Sequence, residues 1–275
     1  MMMYTAKEWD FLKGGNIMKT IILAGGWGTR LGQLSELIPK PMLYIGNRPI
    51  LWHIMKIYTH YGYNDFVIAL GVKSHVIKEY FYNFEALNNN FTVNMSSGKI
   101  VYHNKHDESK WKVTLVDTGI NTLKGGRIKR VEQFLDADVN MLTYGDGVAD
   151  IDINKLVKFH KSHGKTVTFT GVHPSGRFGE FEEKDNQVVS FEEKPEQGKA
   201  YINGGYMVFN KNLLDYLTPD EGCDFEFNAL EKLAKNGEVM VYKHEGKWEC
   251  MDHERDVLHL NQLWNDENAF WKKWK

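Results

Sequence analysis

Apolar residues in this chain fall into short unbroken runs separated by stretches with a beat of three to four. Thr20–Ala24, Asp65–Leu70, Val139–Tyr144 and Thr166–Val172 are such runs, five to seven residues long and bounded by glycine, proline or polar clusters. That pattern reads as strands buried on both faces. Between them, Leu51, Ile54, Met55 and Tyr58 recur at helical spacing behind Pro49, which is expected at the first helical position, and Gly62 ends the element. Ser74 is expected to cap a helix carrying Val76, Ile77, Tyr80 and Phe81. A helix with Ile128, Val131, Phe134 and Leu135 on one face follows, then one over Ile153–His163 capped by Asp152. A later helix is capped by Asp224, with Phe227, Leu230 and Leu233 inward, and a closing helix carries Val257, Leu260 and Leu263.

Shorter β runs are expected at Met42–Ile45, Phe91–Met95, Lys99–His103, Trp111–Val116 and Val239–Tyr242, with a β-rich stretch from Gly176 through Phe191. Strands alternating with helices of this length imply right-handed crossovers. The fold expected is α/β: a Rossmann-like, mostly parallel mixed sheet flanked by helices, with a smaller β-rich part. Trp264, Phe270, Trp271 and Trp274 form an aromatic tail expected to pack on the body or on a neighbouring subunit.

The stretch that carries chemistry is KTIILAGGWGTRLGQLSELIPKPM, Lys19 to Met42. Its first strand stops at Gly25-Gly26-Trp27-Gly28-Thr29-Arg30, and Lys40 follows between Pro39 and Pro41. Glycines let successive backbone N–H groups turn towards an anion, and Arg30 and Lys40 add fixed charge. The stretch therefore reads as a triphosphate cradle, with Leu23, Ala24, Gly25, Gly26, Trp27, Gly28, Thr29, Arg30 and Lys40 as nucleotide-binding candidates.

Two better-known glycine loops do not fit. A dinucleotide turn needs G-x-G-x-x-G and an acid about 20 residues on, where this chain has Gly46-Asn47-Arg48-Pro49. The sole Gly-Lys-Thr, at Gly164, has Phe159 where a P-loop needs its first glycine. Gly145-Asp146-Gly147 follows the Val139–Tyr144 run, and ligands of open α/β sheets bind at such carboxyl ends. Asp146 is thereby a metal candidate and Gly145 a nucleotide contact. Asp150 reads as an exposed loop acid.

G-G-x-G-T-R-L followed by P-K-P-M resembles the sugar-nucleotide pyrophosphorylases. VTLVDTG, GGRIKRV and TYGDGVADID bring the resemblance to the glucose-1-phosphate cytidylyltransferase branch, over nearly all of residues 18–275. The resemblance implies one nucleotidyltransferase domain, with a nucleotide part over about residues 18–150 and a sugar-phosphate part over about 151–275. It further implies Thr122 and Arg127 on the nucleotide, Arg127 on a cytosine edge; Glu193, Lys194, Asn203 and Gly204 on the sugar phosphate; and Asp252 as second metal ligand beside Asp146. Arg30, Lys40, Asp146 and Lys194 would be the catalytic set, Mg²⁺ the cofactor, and CTP and a sugar 1-phosphate the partners. Such relatives look like homo-oligomers, hexamers in this branch, and supply surface-polysaccharide synthesis. A catalytically silent nucleotide-binding paralogue and an NAD-dependent oxidoreductase are the competing readings.

Composition adds limits. A formal net charge of −2 over 275 residues gives no electrostatic case for DNA or RNA. No run of 18 apolar residues suggests a membrane span. Two distant cysteines, Cys223 and Cys250, suit a reduced cytoplasm. Residues 1–17 read as an extension without a secretion signal's apolar core.

Overall fold

The computed structural model describes residues 17–32, 34–104, 106–175, 180–184, 186–192 and 200–274. Seven strands form the central sheet, in the order Val239–His244, Val167–Val172, Ile202–Asn210, Val139–Tyr144, Thr20–Ala24, Asp65–Leu70 and Lys112–Asp117. Ile202–Asn210 runs antiparallel to both neighbours, and the other pairings are parallel. The buried runs behave as their composition requires. In Thr20–Ala24 all five residues are buried, with Ile22 and Ala24 in one core and Ile21 and Leu23 in the other. Asp65–Leu70 divides in the same way, Phe66, Ile68 and Leu70 against Val67 and Ala69, so strand periodicity sorts side chains between two layers.

Helix Ile50–His60 covers one face, burying Ile50, Leu51, Ile54, Met55, Ile57 and Tyr58. The other face is covered by Lys124–Arg130 and by the turns around Phe225 and Leu233. The aromatic tail packs on the first layer: Trp271 is fully buried and its indole N–H donates to His53 Nδ1 at 3.3 Å. His53 is itself fully buried and donates through Nε2 to the Ile45 carbonyl at 3.0 Å.

Several boundaries differ from those expected. Pro49 stands one residue ahead of its helix, extended (ψ 151°) and paired with Tyr44. Ser74 begins its helix and does not cap it, because Lys73 precedes it in the left-handed region at φ 55°. The Met42–Ile45 run divides into a 3₁₀ turn, Lys40–Met42, and a strand, Tyr44–Ile45. Helix Lys124–Arg130 ends early and passes into a 3₁₀ turn at Glu132–Phe134. Asp224 caps as expected, accepting from the N–H groups of Glu226 and Phe227, but Phe225–Leu230 is a π-helical turn. Its wider winding breaks the 3.6-residue period, so Phe225 and Ala229 are buried and Phe227 is 73% exposed. Asp152 caps Ile153–His163 as expected. Asp150 is not a free loop acid: His244 Nε2 meets its Oδ1 at 2.8 Å.

The chain order places the site. From Thr20–Ala24 it builds outward through Asp65–Leu70 to Lys112–Asp117, then returns to add Val139–Tyr144 on the opposite side of Thr20–Ala24. The connections leaving those two central strands diverge, which opens a crevice at their carboxyl ends.

Candidate active site

A cavity of about 450 Å³ fills this crevice. Its walls are the glycine loop from Leu23 to Gly28, Lys40 and Pro41, the segment Ile120–Lys124 with Arg127, and Tyr144 to Asp146. Gly25 must lack a side chain, since a Cβ there would strike the Arg127 guanidinium and stand 2.9 Å from the Gly71 amide nitrogen. Trp27 lines the cavity and is 57% exposed.

At the glycine-loop end, four charged side chains meet. Lys40 Nζ lies 2.8 Å from Asp146 Oδ2 and 2.7 Å from Asp252 Oδ1, and Arg30 NH1 lies 2.6 Å from Asp252 Oδ2. Lys40 is presented by the tight turn between Pro39 and Pro41. Asp252 is delivered by a ribbon. Trp248–Cys250 pairs antiparallel with Gly147–Ala149, Cys250 opposite Gly147, and the Met251 N–H donates to the Asp146 carbonyl at 2.8 Å. The register of that ribbon brings the two aspartates face to face.

Their electrostatics follow from position. Burial acts to raise the Asp252 carboxyl, but hydrogen bonds and charge from Lys40 and Arg30 outweigh it and hold the group down at about 2. For Lys40, burial acts to lower the ammonium and the two aspartates more than reverse it. Cys250 beside them is pushed up to about 12, by burial first and then by Asp146 and Asp252. Its thiol is therefore a neutral filler, not a nucleophile.

The donor set fits a hard divalent cation. Two carboxylates converge on one locus of positive charge, and magnesium characteristically takes one or two carboxylates with water and phosphate oxygens completing its shell. Among the described residues no group of three His, Cys, Asp or Glu forms a metal cage.

At the other end, Arg127 lines the cavity, as does Thr122. The guanidinium is held from within the chain: NH1 donates to Leu70 O, Thr118 Oγ1 and Gly119 O, and NH2 to Gly25 O and Ile120 O, at 2.7 to 3.1 Å. It ties together the carboxyl ends of three strands and shapes the loop around the cavity. A contact with a base edge must share donors already in use. Thr122 Oγ1 accepts from Arg130 NH1 at 2.9 Å.

Asn203 stands on the strand next to Tyr144, its Oδ1 accepting from the Gly205 N–H at 3.0 Å and its Nδ2 donating to Tyr144 Oη at 3.3 Å. Gly204 accepts from the Trp248 indole at 2.9 Å. Glu193 and Lys194 lie outside the described residues. The structure thus joins Arg30, Lys40, Asp146 and Asp252 into one cluster. It also brings in two residues that spacing did not single out, Lys124 and Tyr144, both on the cavity wall.

An open α/β sheet with a glycine loop, paired aspartates and flanking cations at its switch point defines a nucleotide-binding phosphotransfer site. Residues 19–267 match the nucleotidyl transferase family. The chain is 46% identical over 259 residues to the glucose-1-phosphate cytidylyltransferase of Salmonella typhimurium (strain LT2), covering 94% of this chain and 100% of that one. Identity and coverage are the same for the enzyme of that name from Salmonella typhi. Among solved structures, a UDP-glucose pyrophosphorylase complexed with UDP-glucose superposes with a TM-score of 0.64 at 16% identity, over 91% of this chain and 99% of that one, and shares the fold. The chain belongs to the nucleotidyl transferase family, in its glucose-1-phosphate cytidylyltransferase branch. Among the described residues no helix is long and apolar enough to cross a membrane.

Proposed function

We propose that the protein joins CTP and α-D-glucose 1-phosphate to give CDP-glucose and pyrophosphate. The observation that carries this reading is the cluster in which Lys40 bridges Asp146 and Asp252, with Arg30 beside it, at the glycine-loop end of a cavity sized for a nucleotide. An oxygen of the sugar phosphate attacks the α-phosphorus of CTP as the bond to pyrophosphate breaks on the opposite side. Two anions must be brought together, so the work is alignment and neutralisation, and a phosphate monoester is already ionised enough at neutral pH to need no base.

Lys40 and Arg30 neutralise charge that develops on pyrophosphate as it leaves. Asp146 and Asp252 would hold Mg²⁺, which would supply positive charge to offset that of the triphosphate. Backbone N–H groups of Gly25–Gly28 cradle the phosphates, and Thr122 and Arg127 frame the base. Lys194 steers the attacking phosphate while Glu193, Asn203 and Gly204 meet the sugar, as the resemblance implies. The assembly is a homo-oligomer, a hexamer as the resemblance implies, and its product would supply surface-polysaccharide synthesis.

The test is pyrophosphate release from CTP, UTP, GTP and dTTP, each with a panel of sugar 1-phosphates at equal concentration. The highest kcat/KM is expected for CTP with glucose 1-phosphate. A higher value for another sugar overturns the substrate assignment, and a preference for UTP overturns the base assignment. No release from any pair overturns the reaction.

A further inference from the structure

Tyr144 closes the strand beside the glycine loop, and its ring is held from several sides. Its hydroxyl donates to Glu226 Oε1 at 2.8 Å and accepts from Asn203 Nδ2 at 3.3 Å. The Lys124 ammonium sits 5.2 Å from the ring centroid and is itself hydrogen-bonded to Glu226 Oε1. Gly205, at φ 83°, packs under the ring so closely that a Cβ would strike it. Glu226 comes from the π-helical turn Phe225–Leu230, a winding that recurs at functional sites, and its other oxygen, Oε2, is buried with no hydrogen-bond partner among the described residues. This carboxylate uses one oxygen to organise two cavity-lining side chains.

Sheet order separates these side chains from those around Arg127. Arg127 and Thr122 lie over the Asp65–Leu70 and Lys112–Asp117 side of the first strand, whereas Tyr144 and Asn203 lie over the opposite side. The two sets of side chains thus fall on opposite sides of Thr20–Ala24. We propose that Glu226 is a positioning residue for the acceptor half of the cavity, fixing Tyr144 and Lys124 so that the Tyr144 oxygen faces the sugar phosphate as an acceptor for a sugar hydroxyl. Because its proton is committed to Glu226, that oxygen has lone pairs for Asn203 and for one further donor. Lys124, tethered by the same carboxylate, sets the charge at the rim of that half. This inference rests on the reading of the site given under Proposed function.

Steady-state kinetics of Glu226→Ala, Glu226→Gln and Lys124→Met, varying glucose 1-phosphate and CTP separately, test it, alongside calorimetric titration of CTP into each variant. The expected result for Glu226→Ala is a sugar-phosphate KM raised about tenfold, with CTP KM and calorimetric affinity within twofold of wild type. Glu226→Gln keeps an acceptor for the Tyr144 hydroxyl and should recover most of the loss. Lys124→Met should raise the sugar-phosphate KM less than Glu226→Ala. An equal rise in both KM values, a change in CTP affinity alone, or unchanged kinetics in Glu226→Ala overturns the assignment while leaving the reaction standing. Wild-type enzyme that turns over none of the substrate pairs overturns both.

Discussion

Replacing Lys40 by methionine keeps the aliphatic stem and removes the ammonium that lies 2.8 Å from Asp146 and 2.7 Å from Asp252. At an effective dielectric near 20, each contact is worth about 6 kcal/mol gross. Desolvation of a side chain only 14% exposed takes back much of that. Cutting one partner from a fully buried pair costs about 3–5 kcal/mol. Here Arg30 still holds Asp252 and Asp146 keeps 31% of its surface, so a net loss of about 2–3 kcal/mol is expected. At about 2–4 °C per kcal/mol for chains of this size, the melting temperature should fall by about 5–10 °C. Catalysis should suffer more. If the ammonium meets charge that grows in the transition state, its removal costs about a hundred- to a thousand-fold in kcat. Differential scanning fluorimetry and a coupled pyrophosphate assay at saturating substrate give the two numbers. A variant with kcat within a few-fold of wild type refutes Lys40 as a catalytic group, and an unchanged melting temperature refutes the strength assigned to its ion pairs.

Other consequences are as direct. Asp146→Asn and Asp252→Asn should each abolish turnover, and the double variant should be scarcely worse than either, because residues acting on one cation are not additive; independent multiplying losses would show that they work apart. Gly25→Ala should weaken CTP binding by an order of magnitude or more in calorimetry, since the new methyl displaces the Arg127 guanidinium that braces the loop. His53 is held down at about 4 by burial, against an ordinary 6.5, so the folded state binds its proton later than the unfolded chain. Its neutral ring contributes little pH dependence well above pH 6.5, and stability is lost as pH falls from there towards 4, on the order of 3 kcal/mol in all. Urea midpoints across that range should show the slope in wild type and a flatter one in His53→Gln.

The parts of the molecule that were legible in the sequence are those set by local pattern. Thr20–Ala24 and Asp65–Leu70 are continuous apolar runs because both faces are covered, and burial of that kind needs no knowledge of partners. The aspartate caps at positions 152 and 224 were equally plain, since a cap is a contact between near neighbours. What stayed hidden depends on distant register or on a change of helical winding. Nothing near Glu226 marks Phe225–Leu230 as a π turn, so Phe227 was assigned inward from a period that does not hold there. Asp150 looked free because its partner, His244, lies 94 residues away. The same holds for Arg127, whose acceptors come from Gly25, Leu70 and the segment Thr118–Ile120.

The ribbon that carries Asp252 has a consequence during synthesis. Arg30 and its partner are separated by 222 positions, and the strand Trp248–Cys250 that aligns them is made long after the glycine loop. A nascent chain already possesses the glycine loop, Lys40 and Asp146 while that strand is still unmade. Without Asp252 the proposed cluster is incomplete, so a chain cut short of that strand should release no pyrophosphate. On the proposed reading, competence waits until the ribbon pairs with Gly147–Ala149 and Trp271 packs against His53.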